Sequence, residues 1–305
     1  MRLMYESVEI TDFVNVRSAI HREASGGRCD CLELELENAA AWMRWKPQTD
    51  DKIQVTLQGY DTGRLFLNTI VPKDGRYIIL ATSVPQAARR RANKSYKNIK
   101  LIDLIGACAA ECGMAGATYH LDEDIEYKYL MRDNMSAAAF MDKVLSWEGA
   151  AFKTVAGRFA AIGIEGMQEE KAAMTLSLDA EQEGITYTRR NDMRLSGLTV
   201  KTPYAECIAQ DAGAAGGNYE TVTDLPALDA VTAGRWARGL LLYKNRQAEK
   251  ITIETEFNPY MSAMARIDIK GYADASGEWL VDEAEHDLVN GRSRATLVRC
   301  IQTIA

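Results

Sequence analysis

The 305-residue chain is poor in the groups from which catalytic and metal sites are built. It has three histidines, His21, His120 and His286, and none falls in an HExxH or paired arrangement, which argues against a metallohydrolase. No Gly-x-Ser-x-Gly elbow occurs, and no cysteine lies near a histidine, so an activated serine or cysteine nucleophile is unsupported. The six cysteines (Cys29, Cys31, Cys108, Cys112, Cys207 and Cys300) are scattered without CxxC pairs, and free thiols are expected rather than zinc ligands. No stretch approaches the roughly 18 apolar residues of a membrane span, and the opening Met1-Arg2-Leu3-Met4-Tyr5-Glu6-Ser7 has no apolar core of a signal peptide. The expectation is a protein made and kept in a cytoplasm, without a membrane partner.

A formal charge of −7 argues against a protein that grips phosphates, because such binding needs a basic face. With 47% hydrophobic and 26% charged residues the composition is that of an ordinary globular chain, and its length accommodates two or three domains.

Strict alternation in Cys31-Leu32-Glu33-Leu34-Glu35-Leu36 predicts a strand with Leu32, Leu34 and Leu36 in a core and Glu33 and Glu35 on a wet face. Further strands are expected at 7–10, 53–57, 65–71 and 77–80, an antiparallel sandwich or barrel over residues 1–87. After Pro85 the pattern changes. Arg89-Arg90-Arg91 with Lys94 read as a solvated or partner-facing linker, followed by a helical stripe through Leu101, Leu104, Ile105, Cys108 and Cys112 that ends at Gly113. A second helix is expected from Ser136 to Gly149, burying Phe140, Val144 and Trp147, then a hairpin over 151–162. Residues 88–170 thus read as a small inserted α+β domain.

Strands are expected again at 174–178 and 198–200, with about 171–205 completing the first β domain. The run Asp211-Ala212-Gly213-Ala214-Ala215-Gly216-Gly217 lacks a Gly-Lys-Ser/Thr ending and reads as a loop. A helix over 228–243 and strands at 251–255, 265–269, 279–284 and 295–301 make a second β domain of residues 206–305. The acidic run Asp122, Glu123, Asp124 and Glu126 lacks the EF-hand glycine and terminal glutamate, and these four are expected to be solvated loop carboxylates rather than a catalytic pair.

The most informative feature is an internal echo. Ile53-Gln54-Val55-Thr56-Leu57-Gln58-Gly59-Tyr60-Asp61-Thr62-Gly63-Arg64-Leu65-Phe66 has the plan of Ile267-Asp268-Ile269-Lys270-Gly271-Tyr272-Ala273-Asp274-Ala275-Ser276-Gly277-Glu278-Trp279-Leu280. Each is a strand, a Gly-Tyr, a short turn with a second glycine, and another strand, so Gly59, Tyr60, Gly63, Gly271, Tyr272, Gly277 and Trp279 are singled out as structural hairpin positions. The reading is α+β, mainly β: two related antiparallel β-barrel or sandwich domains of tube type flanking the α+β insert.

Four segments carry a resemblance. They are the first hairpin with the preceding Trp45-Lys46-Pro47; Ser95-Tyr96 leading through Leu101 to Gly113-Met114; Asn134 to Met141 with Trp147 to Lys153; and Gly277-Glu278-Trp279 through His286. In their order and spacing the chain resembles phage late control gene D proteins, the baseplate hubs of contractile tails, related to the amino-terminal part of type VI secretion spike proteins. It departs from them at Asn134 to Ser136, where the family has an acidic opening.

The resemblance implies a non-enzymatic hub in a virion or phage-like tail baseplate, assembled in the bacterial cytoplasm. It implies a homotrimer that joins the tail tube to the central spike amid other baseplate proteins, with a lumen for DNA or cargo. No cofactor, metal or catalytic residue is expected, and a lumen lined by acidic and neutral strand faces would let DNA slide. Trp42, Trp45, Trp236 and Trp279 are expected to exceed what small cores hold and to supply interface area. A cell-wall hydrolase using the acidic run, and a receptor-binding β module, are the alternatives.

Overall fold

The computed structural model describes residues 1–37, 39–155, 157–179 and 183–305. The first region holds β1 (Arg2–Tyr5), β2 (Val8–Glu9), β3 (Asn15–Ala24), β4 (Cys31–Glu37), α1 (Ala40–Met43), β5 (Lys52–Leu57), β6 (Tyr60–Asp61), β7 (Leu65–Lys73) and β8 (Arg76–Thr82). Leu32, Leu34 and Leu36 are fully buried, with Glu33, Glu35 and Glu37 on the other face, as their alternation requires.

A middle region follows with β9 (Arg91–Lys100), α2 (Leu101–Ala110), β10 (Ala115–Tyr119), β11 (Glu126–Ser136), α3 (Ala137–Trp147), β12 (Ala150–Val155), β13 (Arg158–Gly163) and α4 (Ile164–Glu169). Ser136 caps α3 by accepting from the Ala139 amide at 3.2 Å, and Gly149 ends that turn at φ +65°. After it come β14 (Met174–Ser177), β15 (Ile185–Arg189), β16 (Gly197–Lys201), β17 (Glu206–Gln210), β18 (Tyr219–Val222), α5 (Ala230–Asn245), β19 (Glu249–Glu256), β20 (Arg266–Lys270), β21 (Gly277–Asp287) and β22 (Arg292–Arg299).

The protein is mainly β, with predominantly antiparallel sheets. One long sheet runs in the order β15-β19-β22-β21-β3-β4-β8-β7-β5-β1-β2, with β14 and β20 attached beside β21. It is open at both ends, so the expected barrel is not closed among the described residues.

The same strand order occurs twice in this sheet. The first unit reads β3-β4-β8-β7-β5-β1, and the second, taken in the same chain order, reads β15-β19-β22-β21-β20-β14. One constant shift in numbering carries the pair Ile53–Leu65 onto Ile267–Trp279. That shift also carries a bulge between Leu67 and Thr69 onto one between Val281 and Glu283. Asp50 and Met264, again related by it, both have left-handed backbones (φ +71° and +75°) and donate to Leu67 O and Val281 O, each at 2.8 Å. Bulges and turns set register, so these backbone features mark one plan used twice. At the far edge the units part company: β1 runs antiparallel to β5, whereas β14 runs parallel to β20.

Three differences from the sequence reading concern where segments go. The strands β14 and β15 pair with β20 and β19 of the second unit, not with residues 1–87. Residues 206–245 pack with the middle region: Trp236 lies 4.9 Å from Trp147, and a Cβ on Gly239 would come within 2.2 Å of Trp147 O, so glycine lets α5 touch the end of α3. The segment 91–100, read as a basic lead into a helix, is strand β9, paired with β11 in a two-stranded ribbon. Trp42, Trp236 and Trp279 are each buried in a different hydrophobic cluster, leaving only Trp45 of the four at the surface.

Candidate interaction surface and the joint beneath it

The two units meet where β21 pairs antiparallel with β3, from Glu283–Ala24 to Asp287–Ile20. On the wet face this register lines up Glu254, Arg294, Glu285 and Arg22 across four strands, with Glu256, Arg292, Asp287, Ile20, Glu33 and Leu80 in the neighbouring row. Arg22 bridges Glu285 at 2.7 Å and Glu33 at 3.4 Å, and Arg76 bridges Glu35 at 2.6 Å. These pairs are solvated and each contributes little to stability, about 0.2–1 kcal/mol. Their consequence is a surface of alternating sign. The glutamates come from the alternation of β4 and β21, and the arginines facing them come from the adjacent strands β3, β8 and β22.

Beneath this face lies a buried polar joint. Glu23, on β3, accepts from Tyr60 at 2.6 Å, from the Ser262 hydroxyl at 2.7 Å and from the Ala263 amide at 3.1 Å, while Lys153 of β12 lies 3.7 Å away. One carboxylate thus touches the first unit, the second unit and the middle region. Burial pushes its pKa upward, but Lys153 and these donors outweigh burial and hold it down at about 2. Asp30, 3.3 Å from the same Lys153, is raised to about 6 by burial that the lysine only partly offsets.

The Tyr60 hydroxyl has one proton and gives it to Glu23, so the 2.5 Å contact with His21 Nδ1 requires that nitrogen to be the donor. Burial lowers His21 to about 4, so it is neutral. A second fastening lies at the bulge, where Asp282 accepts from Ser25 at 2.5 Å and pairs with Arg246 at 3.4 Å. This arrangement can hold three regions rigidly, and Glu23, only 9% exposed, also lines the hollow between Arg22, Cys31, Glu283 and Thr296.

The hairpin residues singled out from sequence fall as follows. Gly59, Gly63, Gly271 and Gly277 have φ of +84°, +68°, +88° and +130°. Gly63 and Gly277 occupy matching positions, whereas Gly59-Tyr60 and Gly271-Tyr272 stand two residues out of step. Tyr60 enters the Glu23 joint; Tyr272 lies 6.0 Å from Tyr187 in the second unit. Trp279 is fully buried, donates to Ala275 O at 2.8 Å and stacks under Arg299.

Asp122, Glu123, Asp124 and Glu126 are exposed, but Glu126 begins β11 rather than lying in a loop. Arg89, Arg90 and Arg91 are exposed at the entry to the middle region. His286 is buried between Ser293 (2.8 Å) and Met261 O (3.1 Å), and His120 lies 3.4 Å from Glu170. Cys108 and Cys112 are buried and Cys29 is exposed. Among the described residues no group of three or more His, Cys, Asp or Glu is placed to hold a metal. Asp211, expected in a loose loop, is 3% exposed and pinned by Arg194 at 2.8 Å and Asn245 at 2.9 Å. Sequence reasoning missed the Glu23 joint, whose partners are remote in the chain.

No family model matches the chain, and no curated protein does. Solved structures match along nearly its whole length. The tail protein from Neisseria meningitidis MC58 aligns over 98% of this chain and 95% of its own, with a TM-score of 0.75 at 10% identity. The 43 kDa tail protein of prophage MuSo2 from Shewanella oneidensis aligns over 98% and 97%, with a TM-score of 0.72 at 10% identity. The Escherichia coli c3393 protein, a type VI secretion component described as similar to the T4 tail proteins gp27 and gp5, aligns over 99% and 78%, with a TM-score of 0.62 at 12% identity. The chain has the fold of phage tail proteins and their type VI secretion counterparts.

Proposed function

We propose that this chain is a structural baseplate hub of a phage-like contractile tail, not an enzyme, and that three copies form a ring joining the tail tube to the central spike. The observation that carries the reading is the six-strand unit used twice, side by side, within a chain of tail-protein fold. Three chains of two units present six similar modules around one axis, which lets a threefold hub meet a sixfold tube. The β units are the ring-forming domains of the gene D type, and the middle region projects from them toward other baseplate proteins. The alternating charges of the wet face line the lumen, and DNA or cargo passes without specific binding because neither sign dominates.

Mass photometry and light scattering of the purified chain, alone and with the spike and tube proteins of its particle, test this. A trimer, or a trimer formed on addition of the spike, is the expected result. A chain that stays monomeric under all these conditions, or is found away from the particle axis in an image of the assembled tail, overturns the reading.

A further inference from the structure

The chain already contains one joint of the kind that a ring of copies needs. In it, the part of β21 beyond the bulge is paired with the edge strand β3. The Ser25 amide donates to Asp282 O and the Leu288 amide to Ala19 O, both at 2.8 Å. Alternation between those two bonds makes Ala284–Glu23 and His286–His21 the hydrogen-bonded pairs, with Glu285 and Arg22 as the close pair between them.

The counterpart of β21 in the first unit is β7, and the counterpart of β3 in the second unit is β15. Beyond its bulge β7 has only β8 beside it, and β15 has only β19, among the described residues. Gly184 O accepts from Glu254 and the Arg190 amide donates to Ala248 O, so Ile185, Tyr187 and Arg189 turn their backbone groups outward. Thr188 and Val71 are exposed. Each chain therefore carries one copy of each half of the joint, unused.

We propose that neighbouring copies of this chain join edge to edge, β7 of one beside β15 of the next, in the register Ile70–Arg189, Val71–Thr188 and Pro72–Tyr187. This rests on the ring reading and names its contact. The occupant is a second copy because the chain pairs the corresponding edges internally, with matching outward positions. The contact is head-to-tail, so it builds a ring when its rotation closes, as the ring reading requires, and cannot be satisfied in a twofold dimer. Pro72 offers no N–H, and Val71 opposite Thr188 replaces the Glu285–Arg22 ion pair. The joint between chains is consequently weaker than the one within the chain, and the exposed edge is guarded by its proline until a partner concentrates the copies.

Single variants Val71→Cys and Thr188→Cys, each in a Cys29→Ser background, are mixed at a concentration or with the spike protein at which the chain assembles, and then oxidised. A disulfide-linked pair should form in the mixture, since cysteines at a close antiparallel pair are within bridging reach, and at least tenfold less with Thr186→Cys as the off-register control. The variant Arg189→Pro removes one outward N–H and should weaken assembly by about tenfold or more, with the monomer's circular dichroism and unfolding midpoint retained. Assembly without cross-linking, or equal cross-linking off register, overturns this contact and leaves the ring standing. Absence of assembly for the unmodified chain overturns both.

Discussion

The first β unit gathers its hydrophobic cluster around Trp42, carried on the short helix α1 between β4 and β5, whereas the second gathers its cluster around Trp279, carried on a strand. The connections differ as much. Six residues join β3 to β4, but the corresponding path from β15 to β19 runs through β16, β17, β18 and α5. What recurs is the backbone: strand order, the Ile53–Leu65 and Ile267–Trp279 register, the bulge, and the left-handed residue before it. A bulge or a left-handed turn cannot be altered without moving every side chain beyond it to the other face, whereas a core accepts any side chains of suitable total volume. Backbone devices therefore outlast the residues that fill the space around them.

The largest test of that comparison is at the matched pair Leu65 and Trp279. Trp279→Ala should cost about 4 kcal/mol and Leu65→Ala about 3 kcal/mol in urea unfolding, as full burial of each implies. A cost under about 1 kcal/mol for Trp279→Ala would show that the second unit does not depend on its own core.

Glu23 belongs to the joint between units rather than to either. Glu23→Gln leaves Lys153 with a weakened partner and should cost about 3 kcal/mol at pH 7. The pH dependence has a definite sign. The folded value of about 2 lies below the ordinary 4.5, so the stabilisation is fully present above pH 4.5 and is lost as pH falls toward 2. Unfolding curves of both proteins between pH 7 and pH 2 should therefore converge at the acid end. A constant gap across that range contradicts the assigned charge.

The two Gly-Tyr turns offer a smaller contrast. A Cβ on Gly59 meets nothing within 4 Å, while one on Gly271 comes within 2.5 Å of Leu178 O, because β14 lies beside β20. Both alanine variants carry left-handed strain of about 1 kcal/mol, and Gly271→Ala should cost roughly 1–2 kcal/mol more through the clash. Equal thermal shifts would mean that the parallel β14 edge yields freely. The smallest effect is expected outside both units. Alanine at Asp122, Glu123, Asp124 or Glu126 should leave any lytic activity of a preparation unchanged, whereas a loss of ~10²-fold would mark a general acid or base there.

Much of this architecture is legible in the linear chain. Alternation in Cys31–Glu37, the cap at Ser136 and the glycines of the two hairpins specify local elements, because each depends on residues a few positions apart. The ribbon of β9 and β11 is not legible, since β9 has no buried residue and Tyr96 and Ile99, which pack on the core, do not alternate; the buried Arg132 of β11 is satisfied by Glu111 and by the carbonyls of Met135 and Arg90. The candidate surface is legible only in part. Its glutamates follow from the β4 pattern, but their arginine partners come from other strands.

By itself, then, the amino-acid order determined the alternating strands such as Cys31–Glu37, the helix capped at Ser136 and the glycine turns of the two hairpins, through contacts between near neighbours. Only the tertiary structure decided that β15 joins β19 across the middle region, that Glu23 meets Tyr60 and Ser262 from 37 and 239 residues away, and that the outer edges of β15 and of β7 beyond its bulge are unpaired among the described residues. The physical reason is that a strand's unpaired edge and a carboxylate's desolvation are the same for many candidate partners along the chain. Which partner wins is settled by the packing of the whole, not by the local residues.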